Sequence, residues 1–206
     1  RTNSPHGSFV QTHWSEGGYE SKSGLVESLG PELRLASDPS KMVMLYDFDT
    51  DGAHRPFYQL WGMTEYRDQL YISVCKSAME SGNRGYVYAY NGTGLPVMVK
   101  ELNEDGMWKI RTFDDKLYVP GHDTALGDKR GRVHIYDGTT KTWNWHYVTQ
   151  FSADHNMDME KYQNRLYISN CQINSQSGVW VSYDGGENWS QSYSYSQWGI
   201  DKLKAY

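Results

Sequence analysis

Histidine and carboxylate side chains concentrate in two short polar stretches, Pro120-Gly-His122-Asp123 and Ser152-Ala-Asp154-His155-Asn-Met-Asp158. A histidine beside a carboxylate can serve as general acid, general base or metal ligand, because its pKa lies near neutrality and the carboxylate fixes its tautomer. Asp123, Asp154, His155 and Asp158 are therefore the candidate catalytic residues, and His122, Asp123, Asp154 and His155 the candidate ligand-binding set. A plainer reading competes with this one and carries more weight. Asp123 and Asp154 can hydrogen-bond their own loop backbones while His155 caps a strand.

These residues are positioned by a repeat. Leu70-Tyr71, Leu117-Tyr118 and Leu166-Tyr167 lie 47 and 49 residues apart, each followed by a strand that ends in an Asn-Gly or Asp-Gly turn. A period of that length accommodates one four-stranded unit per repeat. The chain is thus expected to be all-β, a β-propeller with four-stranded antiparallel blades, about four of them visible and partial blades at both ends.

Strand-like runs bounded by turn residues subdivide the repeats. The second unit reads as Gln59 to Tyr66, Gln69 to Val74, Gly85 to Tyr90 and Pro96 to Glu101; the third as Met107 to Phe113, Lys116 to Val119, Arg132 to Tyr136 and Thr142 to Val148. The fourth reads as Asn156 to Tyr162, Arg165 to Ser169, Gly178 to Tyr183 and Trp189 to Tyr195. A less regular unit covers 24–60, with Glu32 to Ala36, Met42 to Phe48 and Pro56 to Leu60 as strands. The blades are expected at about 24–60, 61–103, 107–151 and 156–195. Residues 1–23 form an irregular segment that includes a possible outer strand. Trp61, Trp108 and Met157 each precede the Leu of Leu-Tyr by nine residues, and Trp198 continues that spacing. On this register 196–206 is the inner strand of a fifth blade, so the chain is expected to be a window on a longer propeller.

Aligned by repeat, Cys75, His122 and Cys171 share one position, and these are donor types that zinc accepts. Equivalent positions in successive blades diverge around the axis, however, beyond the roughly 6 Å that a disulfide spans. Two packed thiols and an ordinary loop histidine are expected, with no metal and no cofactor.

Ser182-Tyr-Asp184-Gly-Gly186-Glu-Asn-Trp189 fits the pattern Ser-x-Asp-x-Gly-x-x-Trp without a mismatch. Here the chain resembles the Asp-box (BNR) repeat family, and Asp137-Gly138 with Trp143 and Asn91-Gly92 are weaker copies. The resemblance implies a propeller in which Ser182, Asp184, Gly186 and Trp189 are structural, at a hairpin on the face away from any active site. A carboxylate can accept backbone N–H groups within the turn, and glycine can take a positive φ. True sialidases of that family need an arginine cluster, a Tyr-Glu pair and a Phe-Arg-Ile-Pro-like segment, and the nearest string, Arg55-Pro56-Phe57, has the wrong order. The Pro-Gly-x-Asp and His-x-x-Asp-Met strings are similar to those of uncharacterised exported propellers, which implies an extracellular or cell-surface location.

A formal charge of −5, with Lys and Arg scattered, lacks the basic stripe of a nucleic-acid binder. No run approaches the roughly 20 apolar residues of a membrane span. The hydrophobic share is 38%, with 17 Tyr and 8 Trp supplying rings suited to half-exposed sheets. The sequons at Asn91 and Asn188 matter only in a eukaryotic secretory setting. The first functional expectation is a non-catalytic propeller that binds glycan or protein through the loop face around its channel. The rivals are a glycoside hydrolase or lyase acting on a polysaccharide, and a structural module whose partners are further blades or a neighbouring subunit.

Overall fold

The computed structural model describes residues 26–29, 32–35, 43–47, 59–75, 84–124, 130–149, 155–171, 177–196, 200 and 202–205. The segment 1–23, Asp154 and Trp198 lie outside them. Seventeen strands occur among the described residues, and none of these residues is helical. Val26–Leu29 (β1), Glu32–Leu35 (β2) and Val43–Asp47 (β3) form a three-stranded sheet. Gln59–Tyr66 (β4), Gln69–Cys75 (β5), Gly85–Tyr90 (β6) and Val97–Leu102 (β7) form an antiparallel meander in sequence order. Leu60 belongs to this sheet, opposite Val74, as the expected strand Gln59 to Tyr66 has it, while residues 56–58 lie outside the described residues. Leu60 is 6% exposed, and pairing in β4 is what buries it.

Glu104–Gly106 (β8), Arg111–Phe113 (β9), Lys116–Pro120 (β10), His122–Thr124 (β11), Arg132–Asp137 (β12) and Thr142–Tyr147 (β13) follow. The third sheet has the order β13-β12-β10-β9. Its inner strand is shorter than the expected Met107 to Phe113. The last inner pair of the ladder is Tyr118 with Arg111, so 107–110 is not part of strand β9. His155–Tyr162 (β14), Arg165–Cys171 (β15), Ser177–Ser182 (β16) and Ser190–Tyr195 (β17) complete the last meander. Strands β11 and β8 are added to its inner edge, giving the order β17-β16-β15-β14-β11-β8.

The Leu-Tyr repeat has a packing cause. Successive strand residues face opposite sides, so Leu117 enters the core shared with the second sheet, beside Tyr66, Tyr71 and Val87. Tyr118 enters the core shared with the fourth, beside Ile135, Met159 and Ile168. Each buried ring or branched chain of this kind contributes about 1.5–3 kcal/mol. Leu166 likewise faces the third sheet. Tyr167 faces the other way and, with Tyr162, Val179 and Leu203, lines a cavity of about 410 Å³ on the outer flank of the fourth sheet.

Three two-residue hairpins close the inner pairs, and both central residues of each have positive φ: Arg67 and Asp68 (48° and 60°), Asp114 and Asp115 (47° and 56°), Gln163 and Asn164 (47° and 58°). That is the type I′ turn, whose twist matches paired strands. These turns also tie neighbouring sheets: Tyr66 Oη donates to Asp115 O at 2.6 Å, Arg67 pairs with Asp115, and Lys161 pairs with Asp114.

Candidate functional site

At the end of the inner strands opposite those turns, four residues lie in one row across the fourth sheet. Cys171 opposes His155, His155 opposes His122, and His122 opposes Gly106. Directly opposed residues share a face, and the rings stack accordingly. The imidazoles of His122 and His155 have centroids 4.0 Å apart at 21°, and Trp108 stacks on His122 at 4.8 Å and 18°. Trp61 meets Trp108 and His122 edge-on at 5.5 and 5.6 Å. A Cβ on Gly106 would sit 2.5 Å from Trp61 Cζ3, so glycine is what admits the indole. Trp61, His122 and His155 are buried, while Trp108 is half-buried.

Thus two of the candidate binding residues, His122 and His155, come together. Asp123 contributes backbone to β11, but its side chain, like Asp154, lies outside the described residues. The repeat alignment of His122 with Cys75 and Cys171 does not hold in space. Cys75 and Cys171 end β5 and β15, opposite Gln59 and His155, whereas His122 leaves its own sheet after Pro120-Gly121 and pairs with the next one. Both cysteines are buried thiols. Among the described residues no three His, Cys, Asp or Glu side chains are grouped to hold a metal.

Beneath the row sits a buried trio that the motifs did not reveal. Glu104, fully buried, accepts from Arg132 Nη1 at 3.3 Å and from His134 Nε2 at 3.2 Å. Burial, with the Arg132 and Lys100 charges adding, pushes the His134 imidazole down to about 3. Glu104 pulls the other way, but it shares its charge with Arg132 and full burial prevails, so His134 is neutral and donates its Nε2–H. Gly121 belongs to this arrangement, because a Cβ there would lie 2.6 Å from the Glu104 carboxyl carbon. The available sequence signal was Arg132 and His134 two apart on a strand whose other face carries Val133 and Ile135. A strand buried on both sides with two basic groups in register requires a buried acid.

Asp158 is the candidate catalytic residue whose surroundings are fully described, and they are those of a structural ion pair. It is 0% exposed; Oδ1 accepts from Arg111 Nε at 3.0 Å, Arg111 Nη2 at 2.7 Å and Met159 N at 2.8 Å. Oδ2 accepts from Arg111 Nη2 at 3.0 Å and Leu203 N at 3.3 Å. Both oxygens are thus engaged within the protein. Ser169 Oγ closes the adjacent bulge, accepting from Asp158 N and donating to Asp158 O. Ser73 does the same at the corresponding bulge, donating to Gly62 O at 3.2 Å and Met107 O at 3.0 Å.

On the opposite face the 182–189 turn is held by hydrogen bonds among its own residues. Ser182 Oγ donates to Asp184 Oδ1 at 2.8 Å and accepts from Gly186 N at 2.8 Å. Glu187 N and Asn188 N donate to Asp184 Oδ1, Asn188 Nδ2 donates to Oδ2, and Trp189 Nε1 donates to Gly186 O. Burial pushes the Asp184 carboxyl up, but the Asn188, Ser182 and Glu187 donors outweigh it and hold the group at about 2. The weaker copies keep the same device: Asp137 Oδ1 accepts from Thr139 N and Thr140 N, and Asn91 Oδ1 from Thr93 N.

No family model matches the chain, and no curated protein matches it in sequence. The Asp-box pattern therefore stands as a local motif at one hairpin and not as a family assignment. Solved structures do share the architecture. A hypothetical selenium-binding protein from Sulfolobus tokodaii superposes with a TM-score of 0.58 at 11% identity, over 88% of this chain and 48% of that one. The Trypanosoma rangeli sialidase in complex with sialic acid superposes with a TM-score of 0.53 at 13% identity, over 78% and 32%. This chain is a β-propeller. It spans less than half the length of each of these two chains. The row of rings stands at the loop-face end of the propeller's inner strands, and the Asp184 hairpin at the other end.

Proposed function

We propose that this propeller is a non-catalytic binding protein that takes a glycan on its loop face, at the inner-strand ends where Trp61, Trp108, His122 and His155 stack. The observation that carries the reading is the half-buried indole of Trp108 held flat against His122 at 4.8 Å. A fixed indole offers a sugar ring an apolar platform at low entropic cost, and polar groups of the surrounding loops supply hydrogen bonds. The sialidase that shares the fold binds sialic acid, which supports a glycan over a protein surface as the ligand. The withdrawal of Asp158 into an ion pair supports binding over hydrolysis. The protein acts outside the cell or on its surface, as a module alongside further blades. A glycan array probed with wild type, Trp108→Ala and Trp145→Ala tests this. Trp145 is 51% exposed on an outer strand and serves as the control. Trp108→Ala should weaken retained ligands at least tenfold, about 1.4 kcal/mol, and Trp145→Ala should not. An unchanged profile for Trp108→Ala overturns the site.

A further inference from the structure

The Asn91-Gly92-Thr93 turn joins β6 to β7 at the end of the second sheet away from the ring row. Asn91 is the one asparagine of the chain followed by glycine, and it is exposed. Its Oδ1 accepts from Thr93 N at 3.0 Å and from Thr93 Oγ at 3.1 Å. A backbone N–H can only donate, so the amide oxygen faces Thr93 and the Nδ2 amine does not. Among the described residues no hydrogen bond holds Nδ2 or the Gly92 N–H. Gly92 is buried, but with a φ of 89° and no side chain nothing of its own crowds its nitrogen. Covalent structure keeps that nitrogen within reach of Asn91 Cγ, because a bond between them closes a succinimide ring.

Asn91 also stands in a carboxylate's place. It follows Tyr90, which opposes Leu70, as Asp137 follows Tyr136, which opposes Leu117. Asp137 Oδ1 accepts from Thr139 N, two residues on, at 2.8 Å, as Asn91 Oδ1 does from Thr93 N. The N–H groups of Thr140 and Thr139 hold the Asp137 carboxyl below the usual carboxylate range. The same turn in the third sheet thus favours an ionised oxygen. Asn188, in the other sequon, is placed differently: its Nδ2 donates to Asp184 Oδ2 at 2.8 Å, its N donates to Asp184 Oδ1 at 3.0 Å, and tryptophan follows it. There the leaving amine is held, and a new carboxylate would face Asp184.

We infer that Asn91 is a site of spontaneous modification, hydrolysed through a succinimide to aspartate, and that its turn accepts the product. The Gly92 N–H gives its proton to a base in the solvent and the nitrogen bonds to Asn91 Cγ, while Thr93 N and Oγ stabilise the charge growing on Oδ1. Nδ2 takes up a proton and leaves as ammonia. Water then opens the ring. Cleavage between Cγ and the Gly92 nitrogen gives aspartate; cleavage between the Asn91 backbone carbonyl carbon and that nitrogen gives isoaspartate. The sum is amide plus water to carboxylic acid plus ammonia, with nothing oxidised or reduced. Aspartate keeps both Thr93 donors, now charge-assisted, whereas isoaspartate lengthens the main chain by a methylene and moves the carboxyl off the turn. The inference is independent of the glycan reading, since the added charge lies at the far end of the strands from the ring row.

The full chain aged at mildly alkaline pH in heavy-oxygen water, then mapped by peptide mass spectrometry with electron-transfer fragmentation, tests the site. Asn91 should deamidate with heavy oxygen incorporated, at least about tenfold faster than Asn144, Asn164 and Asn188, which are exposed too. Thr93→Val, which removes one of the two donors to Oδ1, should slow the reaction about threefold. An intact Asn91, or one that reacts no faster than the other three, overturns the site; an unchanged rate in Thr93→Val overturns the part given to the hydroxyl. For the product, Asn91→Asp should melt no lower than wild type near neutral pH, while Asn188→Asp, which sets a carboxylate against Asp184, should melt lower. Equal losses in these two variants overturn the claim that the turn accepts aspartate.

Discussion

Asp184 shows how one side chain can satisfy a turn. Its two oxygens accept from two backbone N–H groups, one amide and one hydroxyl, all within four residues. The group is solvent-exposed, so much of its electrostatic gain is screened. Asp184→Ala should cost about 1 kcal/mol, chiefly from lost charge-assisted hydrogen bonds. The carboxyl's pKa is held at about 2 in the fold against 3.8 for an unperturbed group. A depressed folded pKa contributes stability that is complete above the unfolded value and is lost as pH falls through the folded one. Urea denaturation should therefore show the wild-type advantage over Asp184→Asn intact above about pH 4 and fading towards pH 2. A pH-independent difference would mean that the charge does not matter to the turn.

At the scale of elements, identical Leu-Tyr-Ile-Ser strings at 70–73 and 166–169 solve one mechanical problem twice. A bulge between Leu60 and Gly62, and another between Asn156 and Asp158, shifts the inner strand by a residue. The serine on the neighbouring strand satisfies the backbone groups that the bulge leaves out of the ladder. Ser73 is 1% exposed, so Ser73→Ala strands carbonyls of Gly62 and Met107 in a dry interior. We expect a loss of about 1–2 kcal/mol by chemical denaturation, with a similar loss for Ser169→Ala. The third sheet lacks this serine: Pro120 stands in its place, no bulge forms, and β10 is cut short so that His122 can cross to the next sheet. The departure from the repeat is what assembles the ring stack.

At the scale of the molecule, the sheets are held side by side through shared cores and a few polar ties. The bidentate Arg111–Asp158 pair is one of the buried ties between the third and fourth sheets, with side chains 20% and 0% exposed. Removing one partner leaves an uncompensated buried charge, so Asp158→Asn should lower stability by about 3–5 kcal/mol. The double variant Arg111→Met with Asp158→Leu should recover much of that loss, because an apolar pair of similar volume avoids desolvation altogether. Thermal denaturation of the two checks both statements. Were Asp158→Asn to melt like wild type, the pair would not be what joins these sheets.

The sequence by itself determined the class of fold, the strand meanders of the second and fourth sheets and the hydrogen bonding available within the 182–189 turn. Period-2 burial, two-residue turns and Asx hydrogen bonds are local, and local chemistry is written in neighbouring residues. Tertiary structure alone decided which polar groups meet. His122 joins His155 and not Cys75 or Cys171, Glu104 collects Arg132 and His134, and Asp158 is consumed by Arg111. Each of those encounters links residues tens of positions apart, and their partners are set by how far one sheet is rotated and shifted against the next. No spacing along the chain encodes that displacement; it emerges from packing Leu117 to one side and Tyr118 to the other.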